Sequence, residues 1–121
     1  MMQTTIENLI LNYFSGFTNK DIGKVTHDFD TDIKLKDWNG EWHGVGDVTL
    51  AIMEIFNNVE KIIISPKEIH YDELQTVTCL IDIVIFNKDH SQLTLNVVDI
   101  FTLGWDENEA VVIASIDAYK Q

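Results

Sequence analysis

The chain has 121 residues, 45% of them hydrophobic, which makes one ordinary domain (1–121) able to bury a core without metal or disulfide staples. Twenty acidic residues against eight lysines and no arginine give a net charge of −12, which excludes nucleic acid, anionic membrane and polyphosphate as partners. It also removes the bidentate fork that holds carboxylates and phosphates, so a neutral, largely apolar small molecule fits better.

The opening MMQTTIENLI carries no basic stretch followed by an apolar one, and no apolar run reaches membrane-spanning length, so a cytoplasmic protein is expected. Thr4 with Glu7 three residues later makes a capping box. Ile6, Leu9, Ile10, Tyr13, Phe14 and Phe17 then recur at helical spacing, and Gly16 weakens the pattern, so the first helix ends near Phe17. Asn19 can cap a second helix with the stripe Ile22, Val25 and Phe29, Asp21 sitting in its first turn. A third helix is expected from about Asp47 to Asn58, with Val48, Ala51, Ile52, Ile55 and Phe56 on one face.

Strand patterns fill the rest. In DIKLKDW, Ile33, Leu35 and Asp37 share one face and Lys34, Lys36 and Trp38 the other, after which Asn39-Gly40 turns the chain as in a tight hairpin. Further strands are expected over Lys61 to Leu74, Val77 to Asn87, Gln92 to Leu103 and Ala110 to Lys120. Pro66 cannot donate to a ladder, so its strand belongs at an edge or carries a bulge. Three helices followed by a meander of long strands read as an α+β fold, the helices packed on one face of an antiparallel sheet.

Three polar groups interrupt apolar faces. In NVVDIFTL and the residues before it, Asp99 shares a face with Leu93, Leu95, Val97, Phe101 and Leu103. Asp37 ends the apolar face of its strand, and Tyr13 puts a hydroxyl in the stripe of the first helix. A lone buried carboxylate takes up a proton, finds a partner or lines a cavity, because burying its charge is so unfavourable. Taken singly, each residue has a structural reading too: a hydrogen-bonded core tyrosine, a carboxyl bonded to backbone, and for Asp37 a turn-stabilising acceptor. Asp82 breaks another apolar run, on a face that periodicity does not fix.

The order of elements resembles the nuclear transport factor 2-like, or SnoaL-like, superfamily, and within it the ketosteroid isomerases. NYFSGFTNKDIGKVTHDFDTDIKLKDWNG is similar to the isomerase stretch from catalytic tyrosine to catalytic base. NVVDIFTL with the terminal IDAYK resembles the stretch carrying the second acid, and WHGVGDV stands at the turn into the third helix. The resemblance implies three N-terminal helices closing a cone-shaped pocket formed by a strongly curved antiparallel sheet. It implies that Tyr13 and Asp99 donate hydrogen bonds to a substrate carbonyl oxygen while an ionised Asp37 shuttles a proton between carbons. The expected pocket lining is Phe17, Phe29, Trp38, His43, Ile52, Phe56, Val97, Phe101 and Lys120.

The chain departs from the isomerases at several of these places. Phe29 and Ile52 stand where further tyrosines can support the catalytic one, and Trp38 replaces the proline that commonly follows the base. Lys120 stands where some relatives place an aromatic residue, and a lysine at the pocket edge admits a polar or anionic ligand group.

Other chemistries find less support. His27, His43, His70 and His90 are scattered without ligand spacing, so no metal is expected. Cys79 alternates with Val77, Ile81, Ile83 and Ile85 as a small core residue, and no Gly-rich loop or nucleophile elbow occurs, so no cofactor is expected. Three function classes stand: an isomerase-like or polyketide-cyclase-like enzyme, a noncatalytic binder of an apolar molecule, and an interaction module. VTCLIDIVIF and AVVIASI are apolar on both faces, from which a homodimer joined through the outer sheet face is expected.

Overall fold

A computed structural model describes residues 2–72 and 75–121, the side chains of residues 2–4 excepted. Helix α1 runs from Met2 to Thr18, so it begins ahead of Thr4, whose side chain and capping box lie outside the described residues. Leu9, Ile10, Tyr13, Phe14 and Phe17 form its buried face. The helix ends one residue past Phe17, as expected, with Gly16 inside its last turn. A Cβ there would meet Val25 Cγ2 at 2.7 Å and the Val25 backbone nitrogen at 2.8 Å, so glycine is what lets the next helix approach.

That helix, α2, is short, Ile22–Thr26, and its cap is Asp21, whose Oδ1 accepts from Lys24 N–H at 3.1 Å. Asn19 instead belongs to the end of α1, donating its N–H to Ser15 O. The stripe expected to reach Phe29 stops early because Phe29 opens strand β1, Phe29–Asp37. β2 (Gly40–His43) pairs back on β1. The two turn residues are Trp38 and Asn39, because Asp37 stands opposite Gly40. Neither has a positive φ, so Asn39-Gly40 does not form the left-handed pair of the tightest hairpins. α3 follows over Val45–Asn58 and buries Val48, Ile52 and Phe56.

Strands β3 (Val59–Tyr71), β4 (Thr76–Asn87), β5 (Gln92–Trp105) and β6 (Val111–Lys120) complete one six-stranded sheet in the order β2-β1-β6-β5-β4-β3. Leu74, expected at the end of β3, lies outside the described residues. Pro66 meets both of its expectations. β3 is an edge strand, and its register shifts between Pro66 and Glu68.

The sheet is mixed and not wholly antiparallel, since β1 runs parallel to β6 with Leu35 opposite Ile116. The cause is α3, which returns the chain to the end where β2 began, so the four-strand meander brings β6 back running with β1. The sheet curls without closing, and α1 and α3 pack across its concave side against β1 and β3. No described helix is long and apolar enough to cross a membrane. Asp82 lies on the convex side, paired with Lys67 at 3.0 Å.

Candidate active site

The sheet register arranges the concave side chains in rungs. Val77, Phe101 and Ile116 form one, Cys79, Asp99 and Ala118 the next, then Ile81, Val97 and Lys120, and beyond them Ile83 with Leu95 and Ile85 with Leu93. The Phe101 rung is covered by α1, with Phe101 edge-on to Tyr13 and Phe14 at 5.4 and 5.7 Å. From the Asp99 rung onward no helix fills the concavity. A cavity of about 270 Å³ opens there, walled by Leu35, Ile55, Ile62, Ile64, Ile81, Ile83 and neighbouring aliphatics. On β5, Asp99 thus marks the boundary between packed core and open pocket, while on β6 Ile116 of the deeper rung also reaches the cavity.

Tyr13 and Asp99 form the polar floor. Both are buried, at 5% and 6% exposure, and both line the cavity. Neither side chain makes a hydrogen bond to another described residue, so their polar tips are available to a ligand. Burial, and secondly the Asp37 carboxylate, raise the Asp99 carboxyl to about 7. Tyr13 is raised well above its ordinary value by burial, then by Asp99 and Asp37, and stays protonated. Four rings fix it in place, those of Phe14, Phe17, Phe29 and Phe101. Phe29, at a 6.0 Å centroid distance, supplies packing without a hydroxyl.

Protonated acids are hydrogen-bond donors, so this floor can hold an oxygen that gains negative charge. A carboxyl NMR titration should place the Asp99 midpoint near neutral pH. A midpoint in the ordinary acidic range would remove Asp99 as a donor.

Asp37 sits half-buried at the end of β1, on the cavity wall. Its Oδ1 accepts from Asn39 N–H at 2.7 Å and Gly40 N–H at 3.2 Å, which is the turn role considered for it. Oδ2 takes part in no hydrogen bond with a described residue. One carboxylate therefore ties the hairpin through one oxygen and keeps the other without a partner among the described residues, on the wall of the cavity.

Phe17, Trp38, Val97 and Lys120 also line the cavity. Five other expected residues do not. Ile52 and Phe101 are fully buried and Phe56 nearly so, one rung or one helical turn too deep. Phe29 is turned onto the Tyr13 ring. His43 lies on the surface beside Glu41, its side chain 69% exposed, because β2 is the edge strand. The wall gains instead the isoleucines Ile62 and Ile64 of β3 and Ile81, Ile83 and Ile85 of β4, of which only the β4 three stood out in the sequence, by their alternation with Cys79. Cys79, opposite Asp99, is pushed up to about 12 by burial first and Asp99 second, and stays an unreactive thiol. Among the described residues no group of His, Cys, Asp and Glu is placed to hold a metal ion.

A curled, unclosed sheet with helices packed over it and a cavity with a polar floor between them defines an α+β pocket domain. The SnoaL-like domain profile matches residues 6–105, and the chain belongs to that family. No curated protein matches it in sequence. Among solved structures it is similar to a ketosteroid isomerase-like protein from Erwinia carotovora atroseptica, with 17% identity, TM-score 0.77, and 95% and 92% of the two chains covered. An NTF2-like protein of unknown function from Burkholderia pseudomallei has 14% identity and TM-score 0.80 over 95% and 89%. A hexachlorocyclohexane dehydrochlorinase of type 2 has 9% identity and TM-score 0.86 over 99% and 85%. At these identities the likeness speaks for the fold alone.

Proposed function

We propose that this chain is an enzyme that moves a proton next to the carbonyl of a small, mostly apolar substrate, in the manner of a ketosteroid isomerase or a polyketide cyclase. Asp37 takes the proton through its open Oδ2. Tyr13 and Asp99 donate to the carbonyl oxygen as it becomes an enolate. The observation that carries this reading is Asp99, a buried carboxyl raised to about 7 with no hydrogen-bond partner among the described residues, facing an apolar cavity. Leaving a polar group so placed is costly, and the cost is accounted for when the group works on a ligand.

Double-bond migration in a β,γ-unsaturated ketone, steroidal or smaller, tests the reaction, together with binding of a phenol as enolate mimic. Turnover of the ketone is the expected result. The two turn bonds of Asp37 favour a second reading, a noncatalytic binder. A protein that binds the phenol and turns over no ketone would establish that reading. One that binds neither would leave the interaction module.

The proposal extends to a homodimer through the convex sheet face, where Leu80, Val84, Phe86, Val98 and Ile100 alternate with the cavity side chains and Tyr119 is 49% exposed. Light scattering at micromolar concentration should give the mass of two chains, and a monomer would refute the extension.

A further inference from the structure

The cavity has an apolar wall and an acidic floor, and a single cation stands at its mouth. Lys120 is the one lysine lining the cavity among the described residues. Its rung, with Ile81 and Val97, lies one step outward from the rung of Asp99. One such step is two residues, roughly 7 Å along the strand. The ammonium rests over the Trp38 ring, 5.4 Å from its centroid. Trp38 is held at the mouth by the two hydrogen bonds that fix the Asp37 turn beside it.

Lys120 forms no ion pair with a described carboxylate, although Asp37 lines the same cavity. The ring positions the charge without neutralising it. Three other described lysines have polar partners of their own: Lys34 pairs with Glu41, Lys67 with Asp82, and Lys20 donates to Val59 O. A protein with a net charge of −12 would otherwise repel an anionic ligand, so a free cation at the pocket entrance matters more here than on a balanced surface.

We propose that the ligand of this pocket carries a carboxylate in addition to its carbonyl or phenolic oxygen, with Lys120 as the specificity-determining residue that receives it and Trp38 as the residue that positions Lys120. The inference rests on the reading of the Tyr13 and Asp99 floor as the oxygen site. It narrows the substrate class to small keto acids or aryl acids, with the apolar body between two polar ends. A plain apolar ketone would use only one end of the site.

The test compares three probes by calorimetry: phenol, 3-(4-hydroxyphenyl)propionate and the amide of that acid. The wild type should bind the acid about tenfold tighter than the amide, the ratio expected of one partly exposed charge-assisted contact. That preference should shrink as salt rises from low to physiological ionic strength. Lys120→Met should abolish it while leaving phenol affinity unchanged, and Lys120→Arg should keep it. Lys120 is exposed, so these variants are expected to fold as the wild type does.

Phenol binding without any preference for the acid overturns the inference and leaves the proposed function standing. A preference that survives in Lys120→Met overturns it equally. Binding of none of the three probes overturns the inference together with the oxygen site beneath it.

Discussion

Replacing Asp37 with asparagine should lower kcat by roughly 10²–10⁴-fold, the range a positioned general base contributes, while phenol binding stays within about threefold of the wild type. The substitution is informative because asparagine keeps the acceptor that the hairpin uses. Its carbonyl oxygen can still receive the N–H groups of Asn39 and Gly40, so the turn and the placement of Trp38 persist. What disappears is the charge and the basicity of the second oxygen. Asp37→Ala removes the turn bonds as well and should cost on the order of 1 kcal/mol of stability for the lost acceptor. A drop in rate shared by both variants, with a loss of stability in only one, separates chemistry from turn geometry.

The same substitution reports on the coupling of the two acids. The Asp37 carboxylate is the second cause of the raised Asp99 value, after burial. Asp37→Asn should therefore move the Asp99 midpoint downward from about 7, by less than burial alone holds it up. An unmoved midpoint would mean that the two groups do not share the cavity.

Periodicity located the helices and strands and the three polar interruptions because each is a local pattern. Asp99 was legible since a strand alternates strictly, and a carboxyl among Leu95, Val97, Phe101 and Leu103 has nowhere to point but inward. The same pattern could not say how deep each inward residue lies. Phe101 and Val97 are equivalent by alternation, yet α1 covers the first and leaves the second on the cavity wall. Ile62, Ile64, Ile83 and Ile85 line the pocket because the curl of the sheet brings β3 and β4 round to face Phe17 of α1 and Ile55 of α3 across an open space, which is a property of the assembled sheet.

The parallel pairing of β1 with β6 was hidden for the same reason, being set by the crossover through α3 and not by any residue in either strand. Asp21 in place of Asn19 as the cap of α2 was a competition between neighbours, decided when Asn19 stayed with the last turn of α1. Resemblance to a family supplied the roles proposed for Tyr13, Asp37 and Asp99. The geometry supplies their accessibility, and the open Oδ2 of Asp37 and the partnerless Asp99 carboxyl belong to this chain.

Replacing Asp99 with leucine should cost activity and increase stability, an opposition that a purely structural acid would not show. Loss of one of two oxyanion donors lowers kcat by roughly 10²–10³-fold, with Tyr13 left to hold the enolate oxygen alone. The fold gains because a carboxyl held at about 7 in the native state, against 3.8 as its ordinary value, is a burden whenever it ionises. Its contribution favours the folded state fully at pH values below the unfolded value and is lost as pH rises through the native one. Across that window the wild type should lose on the order of 4 kcal/mol from this group, and Asp99→Leu should not. Denaturant unfolding at pH 4 and pH 8 measures the difference between the two proteins, in which the general repulsion of an acidic chain cancels. Activity should follow the same proton: wild-type kcat falls above pH 7 as the donor ionises, and the residual activity of Asp99→Leu lacks that upper limb. A variant that is less stable than the wild type at pH 8, with its pH profile unchanged, would assign Asp99 to structure and remove it from the reaction.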